Sequence, residues 1–402
     1  MKRFWLILFV SCYHAISHAE ALRFDAPITV SSASKGVFLH LDSSEQHSLT
    51  VSDKLVAVVW EDNRSGKPAV YTAYQMPGKP GFSNPQKVSN ESPAYEPVIA
   101  ALTRNRFVVG WEEANHVWLR VVSSSEMGAP MKIGKQQAQQ ISVATSNGAS
   151  NERTVNVVWS QGQKRYYYIQ YAKLNIDGFT IKATAPRLVD NSTDKNVQLY
   201  PVIENTESGS VVAWEDRRQG ATRIFTAYAQ NGKPFQAYRL LNEYSPSPNP
   251  EFGKGSGAMR PVLSGNGKQS IVAAWMDKRN WRSGYDVFAA VSNNGGQGFD
   301  KNEQVQDMFG ENVPQWHASV ALQAIGDVAA VAWDDTRNET SDVFYSLRIN
   351  GSWSEDYELP GAAGDGRQSH PSIIFDKKGI LHAVWLNNVN GQSKLQYIRA
   401  LK

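Results

Sequence analysis

Short apolar runs ending in tryptophan, each followed by a polar turn, recur along the whole chain. They read VAVVW (56–60), FVVGW (107–111), VNVVW (155–159), VVAW (211–214), VAAW (272–275), AVAW (330–333) and LHAVW (381–385). The tryptophans Trp60, Trp111, Trp159, Trp214, Trp275, Trp333 and Trp385 are 51, 48, 55, 61, 58 and 52 residues apart. A period slightly above fifty residues suits one four-stranded propeller blade per unit.

Each unit repeats one grammar. It opens on a short run, often through proline, as in YEPVIAAL, LYPVIE, MRPVLSG and SHPSIIF. A turn and the Trp-terminated strand follow. After a polar loop comes a strand such as AVYTAYQ or RIFTAYAQ, alternating at the period of two that marks a pleated sheet. A Gly-aromatic turn (DGFT, NGKPF, NGSW) leads to a last, more polar strand. No helical periodicity is sustained, so the expected class is all-β: a seven-bladed β-propeller, with six or eight blades as the alternatives. The last unit stops at its third strand, LQYIRALK, while FDAPITVSS (24–32) resembles the outer strands of other units. The N-terminal strand is therefore expected to pair with the last blade and close the ring, leaving no open edge.

Composition narrows the function. Hydrophobic residues make up 41% and aromatics 11%, enough to fill a core between packed sheets. The net charge of +3 is spread without a basic run, so there is no electrostatic footprint for nucleic acid. The start, MKRFWLILFVSCYHAISHAEA, has Lys2 and Arg3 ahead of a short apolar run, then Ser17-His18-Ala19. It reads as a secretory signal over residues 1–19, followed by one propeller domain over 23–402, and as too short for a membrane span. Cys12, the only cysteine, lies in that segment; its lipidation is the less favoured reading. Without it the chain has no disulfide, thiolate metal ligand or cysteine nucleophile, which fits a periplasmic or secreted protein. No feature calls for more than a monomer.

The units resemble the BNR-repeat, or sialidase-like, propeller superfamily over nearly the whole chain from residue 23. That family's Asp-box, Ser-x-Asp-x-Gly-x-Thr-Trp, is matched in degenerate form by SNNGGQGF (292–299), with Asn294, Gly298 and Phe299 at the Asp, Thr and Trp positions. NGSW (350–353) and DGF (177–179) are more eroded. The box staples a turn, so the resemblance implies a fold and not an activity. Sialidases also resemble one another in an Arg-Ile-Pro motif, three substrate-binding arginines, a Tyr–Glu nucleophile pair and an Asp acid. Arg-Ile-Pro is absent here, and LRFDAPI (22–28) is a poor substitute.

Two sets of residues compete for a functional role. Trp-x-Asp-x-Arg occurs four times, giving Asp62/Arg64, Asp216/Arg218, Asp277/Arg279 and Asp335/Arg337. A site is normally assembled from different residues in different blades, so a motif repeated unchanged reads as a turn strut. The residue opening each inner strand, by contrast, changes: Glu96, Tyr200, Arg260, His317 and His370, with Gln140 in the third blade and His47 or Gln46 in the first. These should ring the tunnel mouth as acid/base groups beside a fixed cation; plain tunnel lining is the competing reading. Trp281 and Trp316 lie outside the repeat and would suit sugar stacking. The loop YSPSPNPEFGKGSGA (244–258) is placed to arch over the same face.

The expected function is recognition of a carbohydrate, an acidic one, at the mouth. Whether it is cleaved is left open. A lyase would use Arg260 against a uronate carboxylate and Tyr200 or a histidine for proton transfer. A hydrolase needs paired carboxylates, and Glu96 has no evident acidic companion, so lyase chemistry is favoured over a sialidase-like hydrolase. The alternative is a non-catalytic scaffold binding a protein partner in the periplasm or at the outer membrane. No cofactor is required; a lesser expectation is that His47, His317 and His370 converge to hold zinc or copper.

Overall fold

The computed structural model describes residues 20–33, 36–41, 47–53, 55–145, 155–192, 196–243, 257–280, 284–308 and 312–402. Over these the chain forms seven small antiparallel sheets in a ring, with no helix among the described residues. This is the seven-bladed propeller that the tryptophan period predicts. The second blade shows the pattern: Ala94–Ala101 innermost, then Phe107–Glu113, His116–Val122 and a short outer Met131–Ile133.

The ring closes as expected. Arg367–Phe375, Leu381–Val389 and Gln392–Arg399 supply three strands of the last blade, and Ile28–Ser32 supplies the fourth. Ile28 pairs with Tyr397 and Ser32 with Lys394, so both chain ends are held in one sheet. Outer strands elsewhere are as short as Gln86–Lys87 or Arg239–Leu240, which limits edge-to-edge association.

All seven repeat tryptophans are fully buried. Each packs against the preceding blade: Trp60 joins Val384, Leu395 and Tyr397 of the last blade, and Trp275 joins Val202 and Val211 of the fourth. Burying an indole of about 200 Å² stabilises the ring by at most roughly 5 kcal/mol. Because side chains alternate along a strand, the residue after each tryptophan faces the following blade. That alternation decides where the candidate site gets its charge.

The degenerate box at 292–299 forms the expected turn. Ser292 Oγ accepts the Gly296 N–H at 2.9 Å, and Asn294 Oδ1 accepts the Gly298 N–H at 3.0 Å. Phe299 packs into the core between the fourth and fifth blades.

Candidate functional site

The repeated Asp-x-Arg motif is buried joinery. Asp335 Oδ2 accepts the Trp333 indole N–H at 2.9 Å and Arg337 Nη2 at 2.7 Å, while Oδ1 accepts the Arg337 backbone N–H at 3.0 Å. Asp62, Asp216 and Asp277 make the same three contacts with Trp60, Trp214 and Trp275 and their own arginines. Each arginine also reaches outward, Arg218 to Asp190, Arg337 to Asp356 and Arg64 to Ser31. Glu113 and Gln161 stand in for the aspartate in the second and third blades.

The inner-strand residues are of another kind. Glu96, Gln140, Tyr200, Arg260, His317 and His370 all have left-handed backbones, with φ between 50° and 56°. Each sits in a bulge where the pairing register shifts: between Tyr95 and Val98, Gln139 and Ser142, Leu199 and Val202, Met259 and Val262, Trp316 and Ser319, and Ser369 and Ser372. This conformation costs a bulky residue about 1–3 kcal/mol, and glycine would adopt it freely. The chain uses glycine at none of the six. All lie at the end of the ring that also carries the second-to-third strand loops and the blade linkers.

The bulge frees a backbone N–H, and the preceding blade receives it. Glu112 Oε1 accepts Gln140 N–H at 2.6 Å, Glu215 Oε1 accepts Arg260 N–H at 2.8 Å, and Asp334 Oδ1 accepts His370 N–H at 3.0 Å. Tyr200 N–H goes instead to Gln140 Oε1 at 2.9 Å. These carboxylates directly follow a repeat tryptophan, at the position that faces the next blade. Sequence reasoning passed over them because they look like part of the strut motif. The available signal was their variation: Glu61, Glu112, Ser160, Glu215, Met276, Asp334 and Leu386 occupy the position in turn.

Two chemically distinct sectors result. In the first, the Arg260 guanidinium lies 3.3 Å from the Tyr200 ring centroid. Burial raises the Tyr200 phenol pKa; the Arg260 charge opposes the rise, and Glu215 and Glu96 add to it. Burial likewise raises the Glu215 carboxyl, against the Arg260 N–H and the charges of Arg260 and Arg217. A phenol, a cation and two carboxylates thus share one place.

In the second sector His317 Nδ1 lies 2.7 Å from Asp334 Oδ1, and Ser341 Oγ donates to Asp334 Oδ2 at 3.3 Å. The imidazoles of His317 and His370 stack with centroids 3.7 Å apart. Burial, then the neighbouring His317, His40 and Arg367, push the His370 pKa down to about 2, so this ring is neutral. A cavity of about 280 Å³ opens here between Trp316, Ser341 and Arg367. Trp316, 38% exposed, leans on Tyr285 at 5.3 Å.

Some expected members fall elsewhere. His47 directly precedes Ser48, whose carbonyl accepts the Val59 N–H, so it aligns with Pro97, one place beyond the ring position. It lines the tunnel just inside the ring. His40 takes its place, 5.5 Å from His370 and 3.8 Å from Glu61. The first blade's inner strand is split into Leu39–His40 and Leu49–Ser52, and this displaces the register. Gln46, Trp281, residues 1–19 with Cys12, and 244–256 of the long loop lie outside the described residues. Among the described residues no group of three His, Cys, Asp or Glu is placed to hold a metal ion. Face-to-face stacking also keeps the in-plane lone pairs of His317 and His370 from meeting on one ion.

Fold and mouth together define a seven-bladed propeller with an asymmetric, charged, aromatic-rimmed tunnel mouth. No protein-family model and no curated protein matches the chain. Solved structures match its fold. A protein of unknown function from Dyadobacter fermentans aligns over 95% of this chain and 99% of its own, with a TM-score of 0.53 and 10% identity. The GH93 α-L-arabinofuranosidase of Fusarium graminearum, in complex with arabinobiose, aligns over 76% of this chain and 92% of its own, with a TM-score of 0.50 and 11% identity. A mutant of that arabinofuranosidase in complex with an iminosugar inhibitor gives a TM-score of 0.52 at 11% identity over the same shares. At these identities the likeness is one of fold. No helix among the described residues is long and apolar enough to cross a membrane.

Proposed function

We propose that this propeller binds and hydrolyses an acidic glycan at the tunnel mouth. The observation that carries the reading is the ring itself: six non-glycine residues hold a strained backbone at equivalent places, and their side chains differ blade by blade. Strain kept where glycine would be cheaper points to side chains that matter. The carbohydrate chemistry of the Fusarium graminearum structural neighbour is consistent with this.

Arg260 supplies the cation for a substrate carboxylate. Tyr200 is the nucleophile, as in glycosidases that use tyrosine. Its raised pKa keeps the phenol protonated, so a neighbouring base is needed, and Glu215 or Glu96 fills that role. The tyrosine oxygen bonds to the anomeric carbon as the glycosidic C–O bond breaks, and His317, held by Asp334, protonates the leaving oxygen. Water then releases the sugar from Tyr200. The Tyr–Glu pairing and the box-like turn at 292–299 also support membership of the sialidase-like superfamily, and we extend the proposal to a secreted or periplasmic location.

A second reading, β-elimination on a uronate polymer, is favoured by the His317–Asp334 contact, which would make His317 a base for the C5 proton. One experiment separates the two. The purified protein is incubated with umbelliferyl glycosides of N-acetylneuraminate and glucuronate and with uronic-acid polysaccharides. Fluorophore and reducing-end release are followed alongside absorbance of an unsaturated product. Hydrolysis gives the first without the last, with a fall of about 100-fold or more in Tyr200→Phe and Glu215→Gln. Unsaturated product establishes the lyase. No turnover, together with capture of a protein ligand by the mouth, leaves the scaffold.

A further inference from the structure

The third and fourth blades enclose a second polar cavity of about 460 Å³, at the end of the ring away from the mouth. Its floor is a buried network. Asn156, Tyr171 and Ser210 are only 8%, 8% and 6% exposed. Tyr171 Oη donates to Asn156 Oδ1 at 2.8 Å, Asn156 Nδ2 donates to Asn205 Oδ1 at 2.8 Å, and Ser210 Oγ donates to the same Asn205 oxygen at 2.7 Å. Networks of neutral polar groups are costly between hydrophobic sheets unless they serve a polar space. One donor of the lining is left over: Arg187 Nε is buried without a hydrogen-bond partner.

Charge gives the cavity its sign. Arg187 is clamped by aromatic faces, 4.6 Å from the Tyr171 centroid and 5.6 Å from that of Phe235. Lys173 stands at the exposed rim. Among the described residues, no Asp or Glu lines the cavity. The mouth, by contrast, mixes cations with carboxylates. The volume lies within the usual range for small-molecule sites.

We infer that this interblade cavity is a second binding site, for a small oxyanion bearing hydroxyl groups, of which a carboxylated monosaccharide is the natural representative. The guanidinium fixed over Tyr171 takes the carboxylate. The amide and hydroxyl groups of the floor and of Thr184 and Gln230 meet the ring hydroxyls. The site is separate from the mouth and does not depend on the chemistry there.

The test is equilibrium binding to the full chain by calorimetry, with glucuronate, N-acetylneuraminate, inorganic phosphate and glucose as probes. Arg260→Gln removes the cation of the mouth, and binding of a sugar acid at the cavity should persist in it. Arg187→Gln should weaken that binding at least tenfold; Lys173→Gln, at the exposed rim, gives a second reading if the first variant folds poorly. Glucose should bind far more weakly than either sugar acid. The inference is overturned if no sugar acid saturates the Arg260→Gln protein, if both cavity variants bind as wild type, or if glucose binds equally. Saturation by phosphate alone also overturns it, because it leaves an anion site with no sugar preference.

Discussion

Replacing Asp335 by alanine tests whether the repeated motif is joinery. Asp335 has no exposed surface and serves the Trp333 indole, the Arg337 backbone N–H and the Arg337 guanidinium. Truncation orphans the indole N–H and one side of a buried ion pair. Breaking such a pair typically costs about 3–5 kcal/mol. Arg337 keeps Asp356 at 2.8 Å, so the lower part of that range applies, about 3–4 kcal/mol. For a chain of 402 residues, at about 2.1 cal/mol/K of unfolding entropy per residue, each kcal/mol moves the melting temperature by about 1.2 °C, giving a fall of about 4–5 °C. Asp335→Asn keeps an acceptor for the indole and should lose about half as much. Differential scanning calorimetry and urea titration measure the change, and ligand binding is measured at 25 °C, where the variant is still folded. An unchanged melting temperature together with lost binding would refute the strut and make the motif part of the binding site.

Other outcomes follow from the same geometry. Trp316→Ala removes an exposed ring beside His317; KM for an oligosaccharide should rise about 3–10-fold at unchanged kcat, while melting stays within a degree or two. An unchanged KM means that no sugar stacks there. Burial and the adjacent Asp307 raise the Asp356 pKa to about 7 against the pull of Arg337. Its ordinary value is about 3.9, so the folded state holds the extra proton between about pH 4 and 7 and stability falls as pH rises across that window. Asp356→Asn, which removes the titrating group, should flatten the fall, and an identical pH profile would sink the assignment. His370 is neutral down to about pH 2, so it should show no imidazole titration by NMR between pH 5 and 8, about the range where an ordinary histidine titrates. A midpoint in that range would mean that the ring is hydrated.

The blade count, the ring closure and the changing inner-strand positions were legible because each rests on local pattern. Trp60 through Trp385 mark one strand per blade, and a strand that must fill the space between sheets has little freedom in sequence. The carboxylates that follow the tryptophans were not legible. Glu215 and Asp334 adjoin the strut residues Asp216 and Asp335 in sequence, and only the alternation of side chains across the strand sends one to its own turn and the other to the next blade. His40 was hidden for another reason. The first inner strand is interrupted between His40 and Leu49, so counting back from Trp60 lands on His47, one place inside the ring and lining the tunnel. Pairings across an interruption are tertiary facts, beyond the reach of spacing.

The same bulge that creates the site also orients it. A left-handed residue turns its side chain into the mouth and releases an N–H, and the previous blade's carboxylate must come to that N–H. Glu215 is therefore aimed by Arg260, and Asp334 by His370, before any ligand arrives, which is the condition for electrostatic preorganisation. The arrangement is not symmetric. Ser160, Met276 and Leu386 break the run of acids, leaving the third-to-fourth, fifth-to-sixth and seventh-to-first junctions without that anchor. Positive charge sits on Arg260 in the fifth blade and Arg367 in the seventh, while the acids belong to the first, second, fourth and sixth. The rim is acidic over most of its circuit, and the cation proposed to meet an anionic sugar, Arg260, is stacked on the one phenol of the ring. That asymmetry, set by which residue follows each tryptophan, is how a nearly uniform repeat gives its mouth a single direction.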